Sequence, residues 1–243
     1  MRSRKYINDV IVHWTGRNQT DENAMSALTS ICDEMILRLS YCPNYVHEKY
    51  SADSAMVCFT DIPLRFAKEH CAKFGKFGIG FKKQKMIEYG ANPALYTTGN
   101  HLDRIKKLAE LLARMEDLEK DREWKQDIEP YLFTEDETVA FQEVTDFLQE
   151  YSYKNNDLSD YVTYYQREWR LTFRSLPFAG DTKPHEPGMS CFYSRDGKSH
   201  RAFKFSQEDV EYIVVPIRYW WPAKKLAHKM NCKLKIYEIS VRT

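Results

Sequence analysis

The stretch from Val57 to Phe81, VCFTDIPLRFAKEHCAKFGKFGIGF, constrains the fold more than any other part of the chain. The apolar run that opens it, Met56-Val57-Cys58-Phe59, predicts a strand. Pro63 fixes φ and supplies no N–H, so that strand must stop by Ile62. Proline is tolerated in the first turn of a helix. Leu64, Ala67 and Cys71 then recur on one side at helical spacing and predict a short helix. In Phe74-Gly75-Lys76-Phe77-Gly78-Ile79-Gly80-Phe81, glycine alternates with large apolar residues. Such spacing serves close backbone approach, or a positive φ, beside a strand. A phosphate-binding turn would need a following helix and a downstream acid, which are missing, so the glycines read as packing.

Around this unit the chain alternates strands and helices. Val10 to Arg17 predicts a short strand that ends in polar residues and Gly16. Asp21 to Leu39 predicts a helix capped by Thr20 or Asp21, with Met25, Leu28, Ile31, Met35 and Leu39 as its inward stripe. Ser40 to Ser54 reads as an exposed loop, Lys82 to Glu88 as a short helix, Gly90 to Pro93 as a turn and Ala94 to Thr98 as a strand. From His101 to Gln126 a long amphipathic helix carries Leu102, Ile105, Leu108, Leu112, Met115 and Leu118. A second helix, Asp136 to Tyr151, turns Val139, Val144, Phe147 and Leu148 inward. Pro177 to Arg201 is loop-like; Phe203 and Phe205, Val210 to Pro216 and Leu234 to Ile239 read as strands, and Trp221 to Met230 as a basic helix. The predicted class is α+β, a mixed or antiparallel central sheet with flanking helices. One domain spans residues 1–243, with a two-helix insertion at 99–152.

Composition narrows the partners. The chain has 36 basic and 35 acidic side chains and a formal net charge of +1, so no whole-protein field points to nucleic acid or acidic lipid. A local basic cleft can sit inside a neutral total, which keeps nucleic acid open as a partner. Met1-Arg2-Ser3-Arg4-Lys5 is followed by no apolar signal region, and no apolar run is long enough to span a bilayer. The expectation is a cytoplasmic protein without a membrane partner. The six cysteines form no C-x-x-C pair and the seven histidines no H-E-x-x-H, so no metal site is expected. P-loop, dinucleotide and nucleophile-elbow motifs are absent from the sequence.

Two places carry candidate chemistry. His13 and Thr15, two apart on a strand, share a face and can present two hydrogen-bonding groups to one cleft. Bonding of both to nearby backbone is the alternative. Glu168 begins a strand between Arg167 and Arg170, with Trp169, Leu171 and Phe173 along one face. Neighbouring cations would keep this carboxylate ionised in a partly buried cleft, and a structural ion pair is the alternative.

Several of these blocks together resemble a known family. Cys58-Phe59-Thr60-Asp61-Ile62-Pro63-Leu64, His70, Lys73 to Phe81, Gly90 to Tyr96 and Tyr165-Gln166-Arg167-Glu168-Trp169-Arg170 look like the AbiGi family of bacterial abortive phage-infection proteins. The resemblance implies the antitoxin-like half of a two-gene defence system, with a nucleotidyltransferase-like toxin or a phage component as protein partner. A second resemblance is to ADP-ribosyltransferases, through His13-x-Thr15 on a first strand and Glu168 on a late one. It implies NAD as cofactor, with Glu168 and His13 as the catalytic pair. His13, Thr15, Phe59, Tyr96 and Arg170 would bind the cofactor, with Phe59 or Tyr96 as its stacking wall. The middle motif of those enzymes is not identified in this sequence.

Geometry separates the readings. Convergence of Glu168, His13 and Thr15 in one pocket favours an NAD-using transferase. Glu168 locked by an arginine away from His13 favours a non-catalytic module that binds a toxin or senses a phage component. A two-metal nuclease ranks last, because no carboxylates cluster at strand ends.

Overall fold

The computed structural model describes residues 8–41, 55–97, 99–120, 135–150, 167–173, 176, 186–195 and 198–237. The sequence expectations for 42–54, 121–126, 161–166 and 177–185 lie outside them.

The first strand, β1 (Val10–Thr15), buries Val10, Val12 and Trp14 on one side and Ile11 on the other, where His13 and Thr15 are half-buried. Thr20 then caps α1 (Asp21–Glu34) by accepting the Asn23 N–H. The helix ends five residues before the predicted Leu39, because Met35 takes the left-handed conformation at φ 53° and ψ 42°. The apolar run continues instead into β2 (Ile36–Arg38) and β3 (Ser40–Tyr41). Next come β4 (Ala55–Thr60), a 3-10 turn at Leu64–Phe66, α2 (Lys68–Phe74), β5 (Phe77–Lys82) and α3 (Lys83–Glu88). Pro63 sits immediately before that turn, where its fixed φ and missing N–H cost nothing. The chain proceeds through β6 (Asn92–Pro93), β7 (Leu95–Thr97), α4 (Gly99–Lys120), α5 (Glu135–Asp146), β8 (Leu148–Glu150) and β9 (Glu168–Thr172). It closes with β10 (Ser190–Arg195), β11 (Lys198–Lys204), β12 (Val210–Pro216), α6 (Trp220–Lys229) and β13 (Lys233–Tyr237). The hairpin of β10 and β11 replaces the loop expected over much of 177–201.

The main sheet has eight strands in the order β13-β12-β5-β1-β4-β9-β6, with β3 paired to β4. Its pairs are antiparallel except β12 with β13, so the sheet is mixed and the fold is α+β. Register fixes which side chains share a face, because directly opposed residues point the same way. Ile11, Phe59, Ile79, Phe81, Ile213 and Leu171 enter the larger core, together with Leu28 of α1, Met86 of α3 and Leu226 of α6. Val10, Val12, Trp14, Tyr212 and Val214 enter a smaller core under Ala67 and Cys71.

Away from the sheet, Leu102, Ala109 and Ala113 of α4 pack with Leu148, flanked by Ile105 and Phe141. The inward stripe therefore runs through alanines, and Leu108, expected inside, is 44% exposed. Val144 of α5 likewise faces solvent, while Phe147 and Leu148 are buried as expected.

Candidate functional site

β1 and β4 make the site by separating. Their register is the single pair Val12–Thr60, and beyond it the strands are bridged by a side chain. His13 Nδ1 donates to the Cys58 carbonyl at 3.0 Å. That bond places the ring proton on Nδ1 and leaves Nε2 as the acceptor. The imidazole meets the Phe59 ring edge-on at 6.1 Å. Burial holds His13 below the usual histidine range, against the smaller opposing effect of the Cys58 carbonyl.

The opening between the strands is a cleft of about 310 Å³ lined by His13, Trp14, Phe59, Phe74 and Glu168, with Arg17 and Arg38 at its polar margin. A second cavity of about 650 Å³ lies beside it, under α1, with Thr15, Asn23, Ser26 and Ser30 in its wall. His13, Arg38 and Ser40 line both.

The six candidate residues are distributed as follows. His13, Phe59 and Glu168 line the first cleft. Thr15 lies with His13 in the second. Tyr96 and Arg170 line neither. Strand parity divides them further. Thr60 opposes both Val12 and Glu168, so Glu168 points to the α2 side of the sheet. His13 and Thr15 oppose Ile79 and Phe77, which belong to the core on the α1 side.

Glu168 is tied down by its neighbours. Its Oε1 accepts from Arg170 Nε at 2.8 Å, and its backbone N–H donates to Tyr96 Oη at 2.9 Å. Arg170 is 2% exposed and also donates through Nη1 to the carbonyls of Asp146, at 2.7 Å, and Leu148, at 2.9 Å. One guanidinium thus joins the glutamate to the end of α5 and the start of β8. Burial pushes the Tyr96 phenol up to about 12, so it stays protonated.

The other flanking arginine serves a different acid. Arg167 Nη2, at 3.2 Å, and Lys83 Nζ, at 2.9 Å, both donate to Asp61 Oδ2. Asp61 is buried, and its Oδ1 has no hydrogen-bond partner. The Thr-Asp-Ile-Pro block therefore supplies an anionic tie between the end of β4, the start of α3 and the approach to β9. Asp61 was not singled out from the sequence, although an acid two residues before a strand-ending proline is the signal that marks it.

His70, from α2, lines the cleft as well. It stacks on Phe74 at 4.4 Å, and its Nδ1 is buried without a hydrogen-bond partner. Burial pushes its pKa down to about 4. Above pH ~6.5, the ordinary histidine value, neither folded nor unfolded chain is protonated there and stability is complete. Below it the unfolded chain takes up the proton first. Stability then falls until the folded residue titrates near 4, a loss of about 3 kcal/mol. Urea midpoints measured from pH 7 down to 4 should show this decline, and His70→Phe should flatten it. An unchanged slope in that variant would refute the assignment.

Among the described residues, no group of three or more His, Cys, Asp or Glu could hold a metal ion. No described helix is long and apolar enough to cross a membrane.

The fold defines an α+β protein built on a mixed sheet covered on both faces, with a cleft where two central strands part. The chain belongs to the AbiGi family, described as "Putative abortive phage resistance protein AbiGi, antitoxin", whose model matches residues 27–216. It stands among abortive phage resistance proteins of antitoxin type. The match takes in Phe59, Tyr96, Glu168 and Arg170, and begins after His13 and Thr15. No curated protein and no solved structure matches the chain.

Proposed function

We propose that the protein acts in the cytoplasm as an antitoxin that neutralises a partner toxin by binding it, without chemistry at Glu168. The observation that carries this reading is the engagement of the glutamate. Its carboxylate is held by Arg170 at 2.8 Å, and Arg170 is buried in the support of two main-chain carbonyls. A carboxylate fixed in this way serves the fold. It sits across the sheet from His13 and Thr15, the pair it would need beside it for transfer chemistry.

Glu168→Gln tests the reading, because the amide oxygen still accepts from Arg170 while the charge is lost. Cells carrying the toxin and this variant should survive phage challenge and toxin induction as they do with the unaltered chain, within about twofold. Loss of protection, with folding and toxin binding intact, would overturn the binding reading.

A second reading is favoured by one feature, the lining of a single cleft by His13, Phe59 and Glu168. On it the protein is an NAD-using ADP-ribosyltransferase, with nicotinamide leaving at that cleft. Release of nicotinamide from NAD by the purified chain, abolished in Glu168→Gln, would establish it.

A further inference from the structure

On the opposite side of the larger core from the sheet, the start of α6 presents an unusual surface. Trp221 is 70% exposed, and Ile217, four residues earlier, is 57% exposed. Large apolar side chains at that exposure, grouped over a 3-10 turn (Ile217–Tyr219) and the start of the helix that follows it, mark contact surfaces more than folding ones. Trp220 and Trp221 stand edge to face at 4.6 Å, and Lys224 Nζ lies 4.8 Å and 5.8 Å from their ring centres. Such a cation-capped indole pair is held in place before any partner arrives.

The charges on α6 itself are one-sided. α6 reads WWPAKKLAHK and contains no acid. The nearby acids of α1 are already engaged: Asp21 with Arg218, Glu22 with the Tyr219 hydroxyl, Asp33 with Lys229 at 2.7 Å, and Glu34, which also lines the groove described next, with the Ser30 hydroxyl at 2.9 Å. The ties from Asp21, Glu22 and Asp33 pin α6 and the 3-10 turn before it (Ile217–Tyr219) against α1. Lys224 and Lys225 have no carboxylate partner among the described residues. Between the two helices runs a groove of about 670 Å³, with Met25 and Leu226 at its base and Lys225 on its rim.

We propose that this surface is where the partner toxin docks, and that it takes an acidic amphipathic segment of that toxin. Apolar side chains of the segment cover Trp221 and Ile217, and its carboxylates pair with Lys224 and Lys225. The proposal rests on the antitoxin reading above and names the face that performs it. Protein is favoured over single-stranded nucleic acid for a geometric reason. Bases bind by stacking on open aromatic faces, and here Lys224 Nζ lies over one face of each indole, at 4.8 Å and 5.8 Å. A carboxylate can reach the same lysine without displacing it. The net charge of +1 adds little long-range attraction for a phosphate chain. Ile217, Trp221, Lys224 and Lys225 lie beyond the matched residues 27–216, while most of the α1 wall of the groove lies within them.

The test is co-expression of the tagged chain with the toxin encoded beside it, followed by titration of the purified pair. Trp221→Ala should weaken the complex about tenfold or more, with the melting temperature of the free chain unchanged, as befits an exposed anchor. The double variant Lys224→Glu, Lys225→Glu should also weaken it and should flatten its dependence on salt. Unchanged affinity in both variants would overturn the docking face while leaving the antitoxin reading in place. Absence of any complex with the unaltered chain would overturn that reading and the docking face with it. Binding of a fluorescent single-stranded oligonucleotide, or of phosphatidylserine vesicles, that is lost in Trp221→Ala while toxin binding persists would assign the surface elsewhere and overturn the proposal.

Discussion

Arg170→Ala is expected to lower the stability of the protein by about 3–5 kcal/mol, the range for breaking a buried ion pair from one side. The side chain is 2% exposed and serves three acceptors at once: the Glu168 carboxylate and the carbonyls of Asp146 and Leu148. Alanine leaves all three without their donor. Each buried carbonyl then costs about 1–3 kcal/mol of lost hydrogen bonding, partly offset if water enters the space. A domain of this kind is stable by only about 5–15 kcal/mol, so the loss should be plain in a urea titration. It should also be local at first. Arg170 ties the central sheet to the end of α5 and the start of β8, so hydrogen exchange should accelerate at Leu148–Glu150 before it does in β1 or β5. Arg170→Lys should recover only part of the stability, since one ammonium cannot span the three acceptors in the same fork. A loss below about 1 kcal/mol for alanine would mean that the guanidinium is not the joint described here.

Little of that joint is legible along the chain. The sequence places Glu168 between two arginines, and both do bind acids, but only Arg170 binds Glu168; Arg167 reaches Asp61 instead. The choice depends on strand parity and on a positive φ of 46° at Arg167, neither of which composition encodes. The carbonyls that Arg170 supports lie 24 and 22 residues away, beyond any local pattern. The same holds for the cleft. His13 and Thr15 do share a face as their spacing requires, but which face Glu168 takes is decided by the register through Thr60, a long-range fact. Local signals did better with the elements. Pro63 stops the strand, and the Thr20 cap starts α1, as their chemistry dictates. Two misreadings have physical causes. Ile36 and Leu37 prolong the apolar run of α1, so periodicity alone could not show the left-handed turn at Met35. The β10–β11 hairpin was hidden because its strands are largely polar, although the Asp-Gly pair between them is a strong hairpin signal.

Gly75→Ala is expected to be the most damaging of the glycine substitutions, costing roughly 4 kcal/mol or more from backbone strain and collision together. Gly75 ends α2 at φ 110° and ψ 162°, a conformation open in practice to glycine alone. A methyl group there would stand 2.1 Å from the Thr15 carbonyl oxygen and 2.9 Å from its carbon. Both are backbone atoms of β1, so no side-chain rotation can make room. The strand can move only by disturbing its ladder with β5, which runs from Val10–Lys82 to Thr15–Phe77. At Gly80 the added methyl would meet the Tyr212 ring at 2.6 Å, and at Gly78 the His13 carbonyl oxygen at 2.9 Å. Neither has a positive φ, so each should cost less than Gly75, and Gly78 least because its shortest contact is the longest of the three. Soluble yield and thermal midpoints of the three alanine variants measure this order. It follows from the glycines acting as spacers that let α2 and β5 approach β1, the strand that carries His13 and Thr15. A Gly75→Ala variant with an unchanged midpoint would show that β1 can yield at Thr15 and would overturn the spacer role of this glycine.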